Sequence, residues 1–112
     1  MSSRKSADLL QGTLDMLILR VAAAGPIHGY AIAQRLQQIS KDALQVQQGS
    51  LYPALYRLVD REWIVGEDDM SPEGRRIRVY KLTAEGRKQL RSEVNSWQRF
   101  TEAVNLVLAQ ER

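Results

Sequence analysis

Cysteine is absent from the 112-residue sequence, and histidine occurs only once. The lack of cysteine excludes a disulfide framework and thiolate metal sites, and it fits a reducing compartment. No apolar run reaches the roughly 20 residues that a transmembrane helix needs, and the N-terminal residues lack the apolar core of a signal peptide. We therefore expect a cytoplasmic protein that neither spans a membrane nor binds a structural metal.

Groups that could carry out catalysis are also scarce. General acid–base and nucleophilic catalysis need several reactive side chains at one place. The sequence offers a single histidine, His28, and carboxylates that fall mostly on predicted surfaces or turns. A glycine-rich phosphate loop and metal-ligand spacing are both missing. The sequence therefore predicts a binding protein without a cofactor, and not an enzyme.

The chain has the length of one domain, and its 44% hydrophobic content is enough for an ordinary core. Its net charge of +3 says little, but the charges are sorted along the middle of the chain. The acidic residues Glu67, Asp68, Asp69 and Glu73 come first, and the basic residues Arg75, Arg76, Arg78 and Lys81 follow. A local basic cluster suits a phosphate backbone. The alternative is a solvated hairpin of mixed charge.

The most informative stretch is residues 49–61, which the sequence predicts to be a short helix with two different faces. The apolar residues at helical spacing are Leu51, Leu55, Leu58 and Val59. Ser50 is placed as the N-cap, and Pro53 falls in the first turn, where its missing N–H is tolerated. Tyr52, Tyr56 and Arg57 lie on another side. We interpret this segment as a helix that enters a DNA groove.

Two of these residues have alternative interpretations. Tyr56 could pack on the preceding helix. For Arg57, a surface salt bridge fits the pattern as well as a contact with DNA does.

Two helices are predicted before this stretch, after a polar and frayed segment at residues 1–8. The first covers residues 9–24, with Thr13 as a candidate N-cap. It is apolar on nearly all sides, so we expect a partner chain to cover its second face.

The second helix covers residues 29–39, with Ile32, Leu36 and Ile39 as its inner stripe. His28 is expected to cap or pack at its start, and residues 44–47 are expected to form a very short strand.

A hairpin and a long helix follow the central stretch. Residues 63–66 and 76–82 are β-prone, and residues 68–74 are rich in turn-forming residues. Alternation alone leaves open which face of the second strand is buried.

Thr83 is predicted to cap a last helix that runs to about residue 110. Its heptad-like seam is Leu90, Val94, Trp97, Thr101, Val104 and Leu108. We expect a second copy of the chain to cover this seam, the alternative being a capping helix with a frayed end.

This order of elements predicts a mainly α protein with a small β-hairpin wing, which is a winged helix-turn-helix. Residues 1–82 would form the DNA-binding part, and residues 83–112 the C-terminal dimerisation helix of the same structural unit. In such domains the third helix lies in the major groove, where base pairs differ in their donor and acceptor patterns. A hairpin can place arginines along phosphates or in a narrow minor groove.

Four sequence segments resemble the PadR family of bacterial transcriptional regulators. They are LQGTLD at 10–15, GPIHGY at 25–30, GSLYPAL at 49–55 and YKLTAEG at 80–86. The LYPAL motif is rather specific to this family, whereas the LTxxG entry to the last helix also occurs in other winged-helix regulators. The resemblance covers nearly the whole chain and is to the shorter subfamily.

The resemblance implies a homodimer that represses transcription from a palindromic operator and, in some members, is released by a small planar effector. Its partners would be double-stranded DNA, a second copy of the chain and that effector. By position, the DNA-binding residues would be Ser50, Tyr52, Pro53, Tyr56, Arg57, Arg75, Arg76 and Arg78. The dimer interface would contain Leu14, Leu17, Leu90, Val94, Trp97, Val104, Val107 and Leu108.

The effector site implied by the resemblance centres on Trp97, with Val94 and Phe100 beside it. Two facing tryptophans could hold a planar, cationic compound between them. The alternative is a buried interface anchor with no pore, since Phe100 could fill the space. For the whole protein, the alternative function is a winged-helix adaptor that binds another protein and shows no salt-dependent affinity for DNA.

Overall fold

The computed structural model describes the backbone of residues 3–111 and the side-chain surroundings of residues 13–111. Within residues 3–111, four helices and three strands follow one another. They are α1 Ser3–Ala23, β1 Ile27–His28, α2 Gly29–Ile39, α3 Gln48–Asp60, β2 Ile64–Met70, β3 Arg76–Leu82 and α4 Ala84–Leu108. The mainly α winged helix-turn-helix with a long C-terminal helix is therefore confirmed.

The core lies where α1, α2 and α3 meet one side of the sheet. Each helix buries most of the residues of its apolar stripe, because side chains three and four positions apart share a face. The fully buried large side chains are Ile18, Leu19, Ile32, Leu51, Leu55, Leu58 and Ile64. The base of the sheet adds Tyr80, and α4 adds Leu90.

The three strands form an antiparallel sheet in the order β1-β3-β2. β2 is longer than the turn-forming residues suggested, since it continues through Asp68 and Asp69 to Met70. Both residues pair with the opposite strand, where Asp68 faces Arg78 and Asp69 faces Ile77. The turn is therefore confined to residues 71–75. The face of β3 that carries Tyr80 and Leu82 packs on the core, which settles the question that alternation left open.

α1 differs from the prediction at its start. It begins at Ser3 and not near residue 9, so Thr13 lies inside the helix and is not its N-cap. Residues 1 and 2 of the segment expected to be frayed lie outside the described residues. Leu19 is fully buried together with Ile18, so the chain itself covers part of the second face of α1.

α2 has the predicted bounds, but Ile39 is 67% exposed and does not belong to the inner stripe. The helix ends there because Lys41 and Asp42 adopt positive φ angles, and the Asp42 amide turns back to the carbonyl of Gln37. Residues 44–47 alternate in burial as predicted, but they form no strand because no strand pairs with them. The third strand is instead β1, which pairs with β3.

α3 begins earlier than predicted. Its N-cap is Gln47, whose side chain makes no capping hydrogen bond, and Ser50 is the third helical residue. Pro53 is therefore the sixth residue, past the first turn. The helix continues because the carbonyl that Pro53 leaves unpaired belongs to Gly49, which is exposed at the helix start and has open space around its Cα.

A close junction connects the wing to α4. Thr83 caps α4 as predicted, and its hydroxyl oxygen accepts from the Gly86 amide at 2.9 Å. The same hydroxyl reaches the Trp63 carbonyl at 3.0 Å. A Cβ built on Gly86 would overlap that carbonyl and would lie 2.8 Å from Cδ1 of Leu82. Glycine is therefore required where α4 crosses the start of β2.

We predict that Gly86→Ala lowers the free energy of unfolding by about 1–3 kcal/mol, as expected for an overpacked contact. This loss occurs although alanine is the better helix former by about 1 kcal/mol. Chemical denaturation followed by circular dichroism measures the change. The control is Gly49→Ala, since no atom lies within 4 Å of a Cβ at that position. Equal stability of the two variants would contradict the steric argument.

Candidate nucleic-acid interface

α3 divides its residues between a buried face and an exposed one. Leu51, Ala54, Leu55 and Leu58 are buried, and Pro53 and Tyr56 lie on the opposite side. Tyr56 is 70% exposed, so it does not pack into the core on α2. Ser50 is also exposed at the start of the helix. The first helical amides have no carbonyl one turn earlier, and such amides can hold a phosphate.

A cleft of about 650 Å³ separates α3 from the hairpin. Tyr52 lines it from α3, and Tyr30 lines it from the start of α2. The hairpin contributes Ser71, Glu73, Arg75, Arg76, Ile77, Arg78 and Tyr80. The fold therefore brings Tyr52 and all three predicted wing arginines to one cleft, although more than 20 residues separate them in sequence.

The floor of this cleft is the ring of Tyr80. A Cβ on Gly29 would lie 3.1 Å from one ring edge, and a Cβ on Gly66 would lie 3.1 Å from the other. A side chain at either position would press on the ring, which would have to shift by a few tenths of an ångström. Burial raises the pKa of the Tyr80 hydroxyl, although the positive charge of Arg78 acts in the opposite direction.

The basic cluster of the hairpin is partly neutralised. Arg78 Nη1 lies 2.9 Å from Asp68 Oδ1, and Lys81 Nζ lies 2.9 Å from Glu67 Oε1. Arg75 and Arg76 are exposed and form no ion pair within the part of the chain that the structure describes. The interpretation as a hairpin of mixed charge therefore holds for Arg78 and Lys81. Arg75 and Arg76, next to the turn, carry the uncompensated positive charge.

Arg57 lies on the opposite side of α3 from the cleft. Its Nη2 is 2.7 Å from Oδ1 of Asp15 on α1, so the surface salt bridge, one of the two interpretations of Arg57, is present. The pair ties α3 to α1. The sequence alone did not indicate Asp15 as its partner, because 42 residues separate the two side chains.

Sequence reasoning also missed Tyr30. It stacks on His28, with ring centroids 5.6 Å apart and ring planes 9° apart. His28 occupies the N-cap position of α2 without a side-chain capping bond, and its buried Nδ1 has no hydrogen-bond partner among the described residues. Of the two roles expected for His28, capping and packing, the structure shows packing. The available signal was the position of Tyr30 in the first turn of α2, beside the entrance to α3.

The predicted effector residues line two separate grooves. The rings of Trp97 and Phe100 are 6.3 Å apart and line a groove of about 420 Å³ between α4 and α1. Thr13 and Met16 form its α1 side. Val94 lies in a separate groove. That second groove is lined by Arg20, Ala23, Arg87, Leu90, Arg91, Val94 and Asn95.

The predicted dimer residues also differ in their surroundings. Leu14 and Leu90 are buried in the core of one chain, so neither offers surface to a second copy. Leu17, Val94 and Val104 are half-buried. Trp97, Val107 and Leu108 are exposed, as are Phe100 and Leu106. The exposed apolar surface is therefore concentrated in the second half of α4.

These features define a winged helix-turn-helix of the DNA-binding class. The family model of the PadR-like transcriptional regulators matches residues 18–92, and the chain belongs to this family. It is a transcriptional regulator and not an enzyme. Within the described residues, no helix is long and apolar enough to cross a membrane.

Solved structures and a curated relative agree with this assignment. A PadR-family regulator from Eggerthella lenta superposes with a TM-score of 0.84 at 27% identity, covering 97% of this chain and 93% of that one. A PadR-like regulator from Bacillus cereus gives 0.80 at 29% identity, covering 93% and 99%. The transcriptional regulator Rv3488 of Mycobacterium tuberculosis is 38% identical over 73 residues, which are 65% of this chain and 64% of that protein.

Proposed function

We propose that two copies of this chain bind a palindromic operator and repress transcription. The observation that carries the proposal is that Tyr52 of α3 and the unpaired arginines Arg75 and Arg76 line one cleft. A recognition helix contacts base edges in the major groove, and the neighbouring phosphates then pass beside it. The cleft next to α3 is where such a strand would pass.

The two kinds of contact would have different roles. Pro53 and Tyr56 project from α3, and the half-buried Tyr52 lines the cleft beside it. These three residues would contact base edges or sugars. Arg75 and Arg76 would contact phosphates, which position the protein without reading sequence. In a two-fold dimer, the two α3 helices would occupy half-sites about one helical turn, ~34 Å, apart.

We predict that the double variant Arg75→Ala/Arg76→Ala weakens operator binding and reduces its salt dependence. Each lost phosphate contact lowers the slope of log K against log salt by about 0.9, so four contacts in a dimer correspond to about 3.6. Titration of an operator duplex at several salt concentrations measures the slope. The operator is first isolated by selecting duplexes from a random pool.

The matched control is Lys88→Ala/Arg99→Ala, which removes the same charge from α4. Its slope should stay close to that of the wild type, because these residues lie away from the cleft. Equal slopes in all three proteins would remove the wing from the interface. The absence of any salt-dependent binding to duplexes would instead favour a protein–protein adaptor.

The proposed dimer is held together by α4. Its 25 residues correspond to about 37 Å at 1.5 Å per residue. Leu90 and Val94 pack against the body of the chain, but Leu108 is 74% exposed. At 100° per residue, Trp97, Val104 and Leu108 share one side of the helix, whereas Leu106 points to the opposite side. Burying the first of these sides against a second copy removes apolar surface from water.

We predict that Leu108→Asp shifts the protein from dimer to monomer at micromolar concentration, because it places a charge in the interface. Sedimentation equilibrium measures the change. Leu106→Asp introduces the same charge on the opposite side of α4 and should remain dimeric. A monomeric wild type, or a dimeric Leu108→Asp protein, would contradict the proposed interface.

The groove beside Trp97 is the place where an effector would bind. Its aromatic pair and its position between α1 and α4 suit a planar aromatic molecule, and the carboxylate of Glu93 in the same groove favours a cation. Occupancy there would alter the packing of α1 on α4 and, through the dimer, the spacing of the two α3 helices.

We predict that a planar aromatic cation such as berberine quenches the emission of the wild-type protein and does so much less in Trp97→Ala. The variant retains Trp63, which does not line that groove, as a second fluorophore and internal control. If Trp97→Ala is quenched equally, the ligand does not bind beside Trp97. If Trp97→Ala loses only its dimer, Trp97 is an interface anchor.

A further inference from the structure

Arg78 is held flat on the sheet and does not extend from the wing. Its Nε and Nη2 lie 3.0 and 3.1 Å from the position that a Cβ would take on Gly66. Its Nη1 donates to Asp68 Oδ1 at 2.9 Å. The absence of a side chain at Gly66 and the carboxylate of Asp68 together fix the guanidinium in the cleft that faces Tyr52.

Strand register places Asp68 directly opposite Arg78, with which it forms its ion pair. The two residues are directly opposite in the β2–β3 ladder, so their side chains share a face. Asp69, one position further on, faces Ile77 and lies on the other side of the sheet. Its carboxylate accepts from the Met70 amide at 2.8 Å and forms no ion pair within the described part of the chain.

We propose that Asp68 is a specificity-determining residue. Its carboxylate neutralises Arg78 and so prevents Arg78 from binding the phosphates of DNA whose major groove α3 does not occupy. The proposal rests on the DNA-binding function proposed above. In the free protein the carboxylate cancels the charge of Arg78 at close range, and Arg75 and Arg76 remain the uncompensated cations beside the turn.

The Asp68–Arg78 ion pair affects binding to arbitrary DNA and binding to the operator differently. On an arbitrary duplex α3 does not settle into the groove, and an arginine fixed in the cleft cannot reach out to a phosphate. On the operator α3 is seated, the phosphate strand enters the cleft, and Arg78 is already in position. Most of Arg78 and Asp68 is accessible to solvent, so the pair is weak enough for a phosphate to compete with the carboxylate. Asp68 therefore lowers affinity for arbitrary DNA more than affinity for the operator.

The test compares Asp68→Asn with Asp69→Asn. Both variants remove one negative charge from adjacent positions and keep the size of the side chain, so long-range electrostatics change equally. Two probes are titrated over a range of salt concentrations: a 30-bp duplex of random sequence, and the duplex that wild-type protein enriches from a random pool. Thermal denaturation confirms that both variants fold.

We expect Asp68→Asn to bind the random duplex on the order of three- to tenfold more tightly than Asp69→Asn does, because one exposed pair is released in each protomer. Its salt slope on that duplex should rise by about 1.8, which is the value for two additional phosphate contacts. Affinity for the enriched duplex should change less, so the ratio of specific to non-specific affinity falls.

The Arg78→Ala background shows whether the effect passes through Arg78. There, Asp68→Asn and Asp69→Asn should bind the random duplex equally. The proposal is overturned if the two single variants behave alike, or if their difference persists without Arg78. Failure of the wild type to enrich any duplex would instead refute the proposed function, while the comparison on random DNA would still be made.

Discussion

The geometry of the interface depends on the position of one aromatic ring. Tyr80 lies between the start of α2 and strand β2, and glycine on both sides allows the ring to enter. This packing fixes the hairpin relative to the helix-turn-helix, because the ring contacts both. Without it, the wing would be a two-stranded ribbon joined to the body mainly by its base, and such hairpins have little stability of their own. The distance between the wing arginines and α3 is thus determined by a buried residue that itself contacts core, wing and cleft.

Much of this fold was predictable from periodicity and caps. The apolar spacing in α3 identified its buried face, and the Thr83 cap identified the start of α4, since both signals depend only on residues close in sequence. Errors arose where a distant contact decided the outcome. Residues 44–47 had the alternation of a strand but no strand to pair with, and Ile39 had helical spacing at a point where the chain already turns away.

The interface was predictable in composition but not in detail. The sequence indicated a tyrosine-bearing helix and an arginine-rich hairpin, and the fold brings them together. It did not indicate that Arg57 pairs with Asp15 or that Arg78 pairs with Asp68, because each pair depends on tertiary packing or strand register. The hairpin pair was within reach of sequence reasoning. Had Asp68 and Asp69 been assigned to a strand and not to the turn, the ladder would have placed Asp68 opposite Arg78.

The two ends of the molecule are linked through α1. This helix contributes Asp15, which holds Arg57 of α3, and the neighbouring Thr13 and Met16 line the groove beside Trp97. Side chains at positions 13 and 16 share a face of the helix, and position 15 points in a different direction. A single element therefore contacts α3 on one side and α4 on the other. A shift of α1 against α4 would move Asp15 with it, because a close-packed helix moves as a unit and does not deform locally.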